Sequence, residues 1–91
     1  MVHQGKKEDE SMKYLILKID NLRTPVLFSD DLNHKDVAYK IGGEVCSAGF
    51  VSISIEIDGL KIKTYGYSHS LDLVSKPDDR LIIKAHLKGK V

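Results

Sequence analysis

The sequence predicts a small α+β domain: an antiparallel sheet of hairpins packed against two helices, in the order β-β-α-β-β-α. Three observations carry this. Residues 51–67 alternate apolar and polar side chains on either side of Asp58-Gly59, the pattern of two strands joined by a tight turn. Residues 32–43 hold helix start and stop signals that agree with one another. Residues 75–88 begin with Ser75-Lys76-Pro77-Asp78-Asp79, a helix opening, and end in lysines.

Residues 13–19 read as a strand, with Leu15, Leu17 and Ile19 on one face and Tyr14, Ile16 and Lys18 on the other. Asp20-Asn21 signals a turn. Residues 24–28 form a second, shorter strand, and Pro25, which lacks an N–H, belongs at its start or on a sheet edge. In the first helix Asn33 is the N-cap and Asp36 completes a variant capping box. Leu32 and Val37 occupy the positions of a hydrophobic staple. Val37, Ala38 and Ile41 give the apolar stripe, and Gly42 or Gly43 supplies the left-handed stop. Residues 44–50 include the small side chains of Cys46, Ser47, Ala48 and Gly49, which permit a bulge or a close backbone approach.

In the long hairpin, Val51, Ile53, Ile55 and Ile57 alternate with Ser52, Ser54 and Glu56. A type I′ turn at Asp58-Gly59 places Ile57 opposite Leu60, Glu56 opposite Lys61 and Ile55 opposite Ile62. Ser54 then faces Lys63, Ser52 faces Tyr65, and Phe50 faces Tyr67. The aliphatic face is assigned to the core. Residues 68–74 are extended or loop-like, anchored by Leu71 and Leu73. Residues 80–88 also alternate as a strand would, but the capping signals have a mechanism and favour a helix with Leu81, Ile82 and Ala85 inward.

A chain of 91 residues allows one domain. Residues 1–11 are polar and expected to be a disordered tail or extension, and residues 12–91 make the single α+β domain. Met12 could itself be a start. A core this size is modest, and association with a second copy is a natural way to bury more apolar surface. The net charge of +1 points to no nucleic-acid, membrane or acidic partner in bulk. Cys46 is the single cysteine, so no internal disulfide forms, which fits a reducing compartment. Without a membrane-length apolar run or a signal-peptide core near the start, the expected location is the cytoplasm, with no membrane partner.

No nucleotide-binding or metalloprotease motif occurs. His34, His69, His86 and Cys46 do not stand at ligand spacing, so neither a metal nor another cofactor is expected. Ser68-His69-Ser70 puts hydroxyls beside an imidazole in sequence, but neighbours in an extended segment point apart. No catalytic residue is assigned; a hydrolase built on Cys46 or His69 would need them paired in one cleft.

The candidate interaction face is the outer side of the hairpin, where Phe50, Ser52, Lys61, Lys63, Tyr65 and Tyr67 gather with Ser54 and Glu56. Aromatics interleaved with lysines suit single-stranded nucleic acid, whose bases stack on rings and whose phosphates meet lysines. The plainer explanation is a face covered by a helix or a second copy, leaving two solvated lysines. Arg80, Lys84 and Lys88 recur every four residues and read as a solvated helix face.

The segments Thr24-Pro25-Val26-Leu27-Phe28, Ser47-Ala48-Gly49-Phe50-Val51 and Tyr65-Gly66-Tyr67-Ser68-His69-Ser70-Leu71-Asp72-Leu73-Val74-Ser75-Lys76-Pro77-Asp78-Asp79 carry a resemblance. Over residues 12–86 the chain resembles small uncharacterised proteins of bacteria and their phages. The resemblance implies a phage or mobile-element origin and a helix after Pro77, and brings no activity or site. The expected function is a small, non-enzymatic interaction or adaptor module, oligomeric or bound to another protein. The alternative is a single-stranded nucleic-acid-binding module using the Lys/Tyr face.

Overall fold

The computed structural model describes residues 10–88. It shows an antiparallel four-stranded sheet, a two-stranded ribbon and two helices, the α+β class expected. The strands are β1 (Glu10–Ile19), β2 (Leu22–Phe28), β3 (Glu44–Glu56), β4 (Gly59–Tyr65), β5 (Tyr67–Ser68) and β6 (Leu73–Val74); the helices are α1 (His34–Ile41) and α2 (Asp79–Lys88). Sheet order is β2-β1-β3-β4, so the two hairpins meet along β1 and β3, and β5 pairs with β6. β1 starts at Glu10, which brings residues 10 and 11 into the domain rather than the expected tail. The rest of that tail lies outside the described residues.

The first hairpin closes where its residues dictate. Ile19 pairs with Leu22, and Asp20 and Asn21 both take positive φ, 52° and 68°. That is the two-residue turn whose twist suits a hairpin, and Asp and Asn tolerate it best after glycine. Pro25 sits in β2, an edge strand, as its missing N–H requires.

Helix α1 begins at its cap. The Asn33 side chain accepts from the N–H groups of Lys35 (2.8 Å) and Asp36 (3.4 Å). It ends at Gly42, φ 88°, whose N–H donates to the Ala38 carbonyl. Leu32 stays half exposed, so the expected staple adds little.

Both sheet faces are covered near the middle. On one, Tyr14, Ile16, Val51 and Ile62 pack with Ile83 of α2. On the other, Leu15, Leu17, Phe28 and Ala48 pack with Val37 and Ala38 of α1, with Leu73 of the ribbon and with Leu71 in the loop before it. A bulge decides how β3 serves both. Ile16 pairs with Ser47 but Leu17 with Val45, leaving Cys46 as the extra residue. The small segment 44–50 therefore contains both the bulge and a close approach. A Cβ on Gly49 would lie 2.6 Å from the Tyr65 carbonyl oxygen.

Three expectations are corrected. First, the long hairpin turns at Ile57-Asp58, with Glu56 paired to Gly59, Ile55 to Leu60, Ser54 to Lys61 and Phe50 to Tyr65. Glu56 is thus diagonal to Lys61, not opposite it, and β4 ends at Tyr65 rather than 67. Gly59 alone takes the positive φ, 130°, since it has no Cβ to penalise it. A shift of two positions keeps every side chain on its expected face, because the strand repeat is two. Second, the aliphatic face is not all core. Val51 and Ile62 are buried, but Ile55 is 85% exposed and Ile57 fully exposed. Third, α2 turns Ile82, Ile83 and Leu87 inward, while Leu81 and Ala85 face out. Its register is set by Asp79, which is anchored in the core.

Candidate functional site

Phe50, Ser52, Lys61, Lys63 and Tyr65 lie on one face of the β3–β4 hairpin because alternation puts them there. Tyr67 belongs to β5, after the chain bends at Gly66 (φ 77°), yet it lines the same depression as Phe50 and Tyr65. All six residues of the expected face are therefore brought together, and neither α1 nor α2 covers Tyr65 and Tyr67, 45% and 50% exposed.

Two grooves meet at Tyr65. One is lined by Ser11, Ser52, Ser54, Lys61, Lys63 and Arg80, with Glu56 at its far end. The other runs past Lys13, His34, Phe50, Tyr67, His69 and Ser70. The rings are held in order. Phe50 and Tyr65 stack with centroids 5.8 Å apart and planes 19° from parallel. Tyr67 meets His69 edge-on at 4.6 Å. The Tyr65 and Ser11 hydroxyls share a hydrogen bond of 2.5 Å, fixing the ring against β1.

His34 gave no sequence signal beyond being a scattered histidine, yet it is buried beneath this face. Its Nε2–H donates to the Gly49 carbonyl at 2.9 Å, and its ring stands edge-on to Phe28 and Phe50. Burial holds the imidazole below its ordinary range, against the opposing effect of the Gly49 carbonyl, and the nearby Lys13 charge adds to the lowering. His34 is thus a neutral structural wedge under the aromatic pair.

The second feature hidden in the sequence is a buried polar cluster on the opposite sheet face. Asp79, at the start of α2, is almost fully buried. Its carboxylate accepts the Tyr14 hydroxyl (2.5 Å), the Ser47 hydroxyl (2.9 Å) and the Lys76 N–H (2.9 Å). Burial pushes the Tyr14 hydroxyl well above the ordinary tyrosine range, and the neighbouring Asp79 carboxylate adds to this. Ser47 faces α2 by the same alternation that buries Val51, which lets it reach Asp79, and the bulge turns Cys46 to that side as well. Tyr14, Ser47 and Asp79 are all closed to solvent, so they tie α2 to the sheet.

Cys46 lines a cleft with Ser47, Arg23 and Pro77 on the α2 side, whereas His69 lines the aromatic groove on the other. The structure does not pair them. Among the described residues no group of three or more His, Cys, Asp or Glu side chains could hold a metal ion, and no helix is long and apolar enough to cross a membrane. No family model, curated protein or solved structure matches the chain.

Proposed function

We propose that this chain is a small, non-enzymatic interaction module that works as a homo-oligomer in the cytoplasm, within a phage or mobile-element setting. One observation carries the reading: the long hairpin projects past α2 and presents Ile55 and Ile57 to solvent beside the half-buried Ile53 and Leu60. Covering such a side chain is worth about 1.5–3 kcal/mol, and a two-fold contact covers each residue twice. Part of that gain offsets the cost of association.

The occupant is a second hairpin end rather than an added strand. Pro25 interrupts the donors of edge β2. On edge β4, a two-fold pairing about Ile62 would set Lys61 against Lys63 of the second copy, and like charges directly opposed are unfavourable. The free edges resist sheet extension, while the aliphatic end invites face-to-face packing.

Sedimentation velocity over a concentration series tests this. The wild-type chain is expected to dimerise or assemble further, and Ile55→Asp/Ile57→Asp to sediment as a folded monomer. A wild-type chain that stays monomeric at every concentration would overturn the reading.

A further inference from the structure

Two basic stripes far apart in sequence converge around the free edge of the sheet. Lys61 and Lys63 come from β4, and Arg80 and Lys84 from α2, which packs over the other side of that strand. All four line one groove, and three of them also line the neighbouring groove that contains Tyr65. The spacings match. Residues two apart on a strand are about 6.6–6.8 Å apart, and residues four apart on a helix rise about 6 Å. The two pairs of cations thus have similar internal spacing and line one groove at the β4 edge. Glu56 and Asp58 stand at the hairpin tip and bound the positive region on that side. At the other end the half-exposed Tyr65 and Tyr67 rings and the His69 ring begin.

We infer that this edge binds a single-stranded nucleic acid, with phosphates on Lys61, Lys63, Arg80 and Lys84 and an unpaired base on Tyr65. The cations alone would suit any polyanion. The aromatic floor at one end selects among them, because an acidic peptide offers no flat ring to stack, whereas every unpaired base does. A duplex keeps its bases stacked inside and leaves the tyrosine without a partner. Ser11, Ser52 and Ser54 supply neutral donors along the groove, suited to phosphate and sugar oxygens. The surface adjoins the apolar end at Glu56, Asp58 and Leu60 but is lined by neither Ile55 nor Ile57, so Ile55→Asp/Ile57→Asp tests assembly without removing a cation or ring of the track.

The test is fluorescence anisotropy of a labelled oligothymidylate with the full chain, titrated between ~50 and ~200 mM salt. Four phosphate contacts on a single strand give a log–log salt slope of about −2.8. Lys61→Ala/Lys63→Ala and Arg80→Ala/Lys84→Ala are each expected to halve that slope to about −1.4. Tyr65→Ala is expected to weaken binding roughly 5- to 150-fold and leave the slope unchanged. Melting curves of the variants confirm that they remain folded. No binding at the lowest salt would overturn the inference. So would equal affinity for duplex DNA or polyglutamate with no effect of Tyr65→Ala, which would mark a general polyanion surface. A slope change in the β4 variant alone would remove α2 from the site and refute the two-sided track.

Discussion

Replacing Tyr14 with phenylalanine removes one oxygen from the middle of the sheet. That oxygen donates to the Asp79 carboxylate at 2.5 Å, the range of a charge-assisted O–H···O⁻ bond. Both partners are closed to solvent, so water cannot replace the lost donor. A buried hydrogen bond to a charged group is worth about 1.5–3 kcal/mol. A domain of this size holds roughly 5–14 kcal/mol in total, so one atom accounts for a sizeable share. At roughly 4–8 °C per kcal/mol, a loss of about 2 kcal/mol lowers Tm by roughly 8–16 °C. Asp79→Ala is expected to cost more, about 3–5 kcal/mol, since it strands the Tyr14 and Ser47 hydroxyls and the Lys76 N–H together. The decisive comparison is the double variant. In the Asp79→Ala background, Tyr14→Phe removes a hydroxyl that no longer has its acceptor, so it should cost nothing or restore some stability. Urea unfolding followed by far-UV circular dichroism measures all four species. Tyr39→Phe, on a ring 89% exposed, serves as the neutral control. If Tyr14→Phe and Asp79→Ala are additive, or Tyr14→Phe matches wild type, the cluster does not tie α2 to the sheet.

Other perturbations probe the remaining joints. Gly49→Ala puts a Cβ 2.6 Å from the Tyr65 carbonyl oxygen, and the β3–β4 pairing must shift to admit it. A loss of about 1–3 kcal/mol is expected in the same unfolding assay. Asn33→Ala removes the α1 cap and should cost ~1 kcal/mol, with Asn33→Asp close to wild type. His34 is held below its ordinary value of about 6.5 by burial, so around pH 6 the unfolded chain binds more protons than the folded one. Its contribution is complete above the unfolded value and is lost as pH falls through the lower folded value. Unfolding free energies from pH 7.5 to pH 4.5 (~ values that bracket an ordinary histidine) should fall more steeply for wild type than for His34→Asn. Parallel profiles would show that His34 is not buried neutral. Asn21→Gly should stabilise slightly or leave stability unchanged, because the φ of 68° is free for glycine; a loss above ~1 kcal/mol in urea would contradict the turn assigned there.

Local chemistry was legible in the sequence because it acts over a few residues. The Asn33 cap, the Gly42 stop, the Asp20-Asn21 turn, the edge position of Pro25 and the alternation of the hairpin all depend on near neighbours. The expected face of Phe50, Lys61, Lys63 and Tyr65 followed from alternation alone. It survived a one-residue misplacement of the turn, because that slides the register by two, one full repeat, and leaves each residue on its side. That same invariance is why alternation could not locate the turn itself.

What only the tertiary structure decided lies in distances along the chain and lengths in space. Tyr14 and Asp79 are 65 residues apart, and nothing in either neighbourhood marks the pairing. The joining of Lys61 and Lys63 to Arg80 and Lys84 depends on α2 returning over β4, a matter of topology that neither stripe encodes. The exposure of Ile55 and Ile57 is a question of length. β3 has 13 residues and α2 has 10; at about 3.3 Å per strand residue and 1.5 Å per helical residue, they span roughly 43 Å and 15 Å. Alternation says which residues share a face, but the short helix sets how much of that face is covered. The uncovered end is what leaves Ile55 and Ile57 exposed.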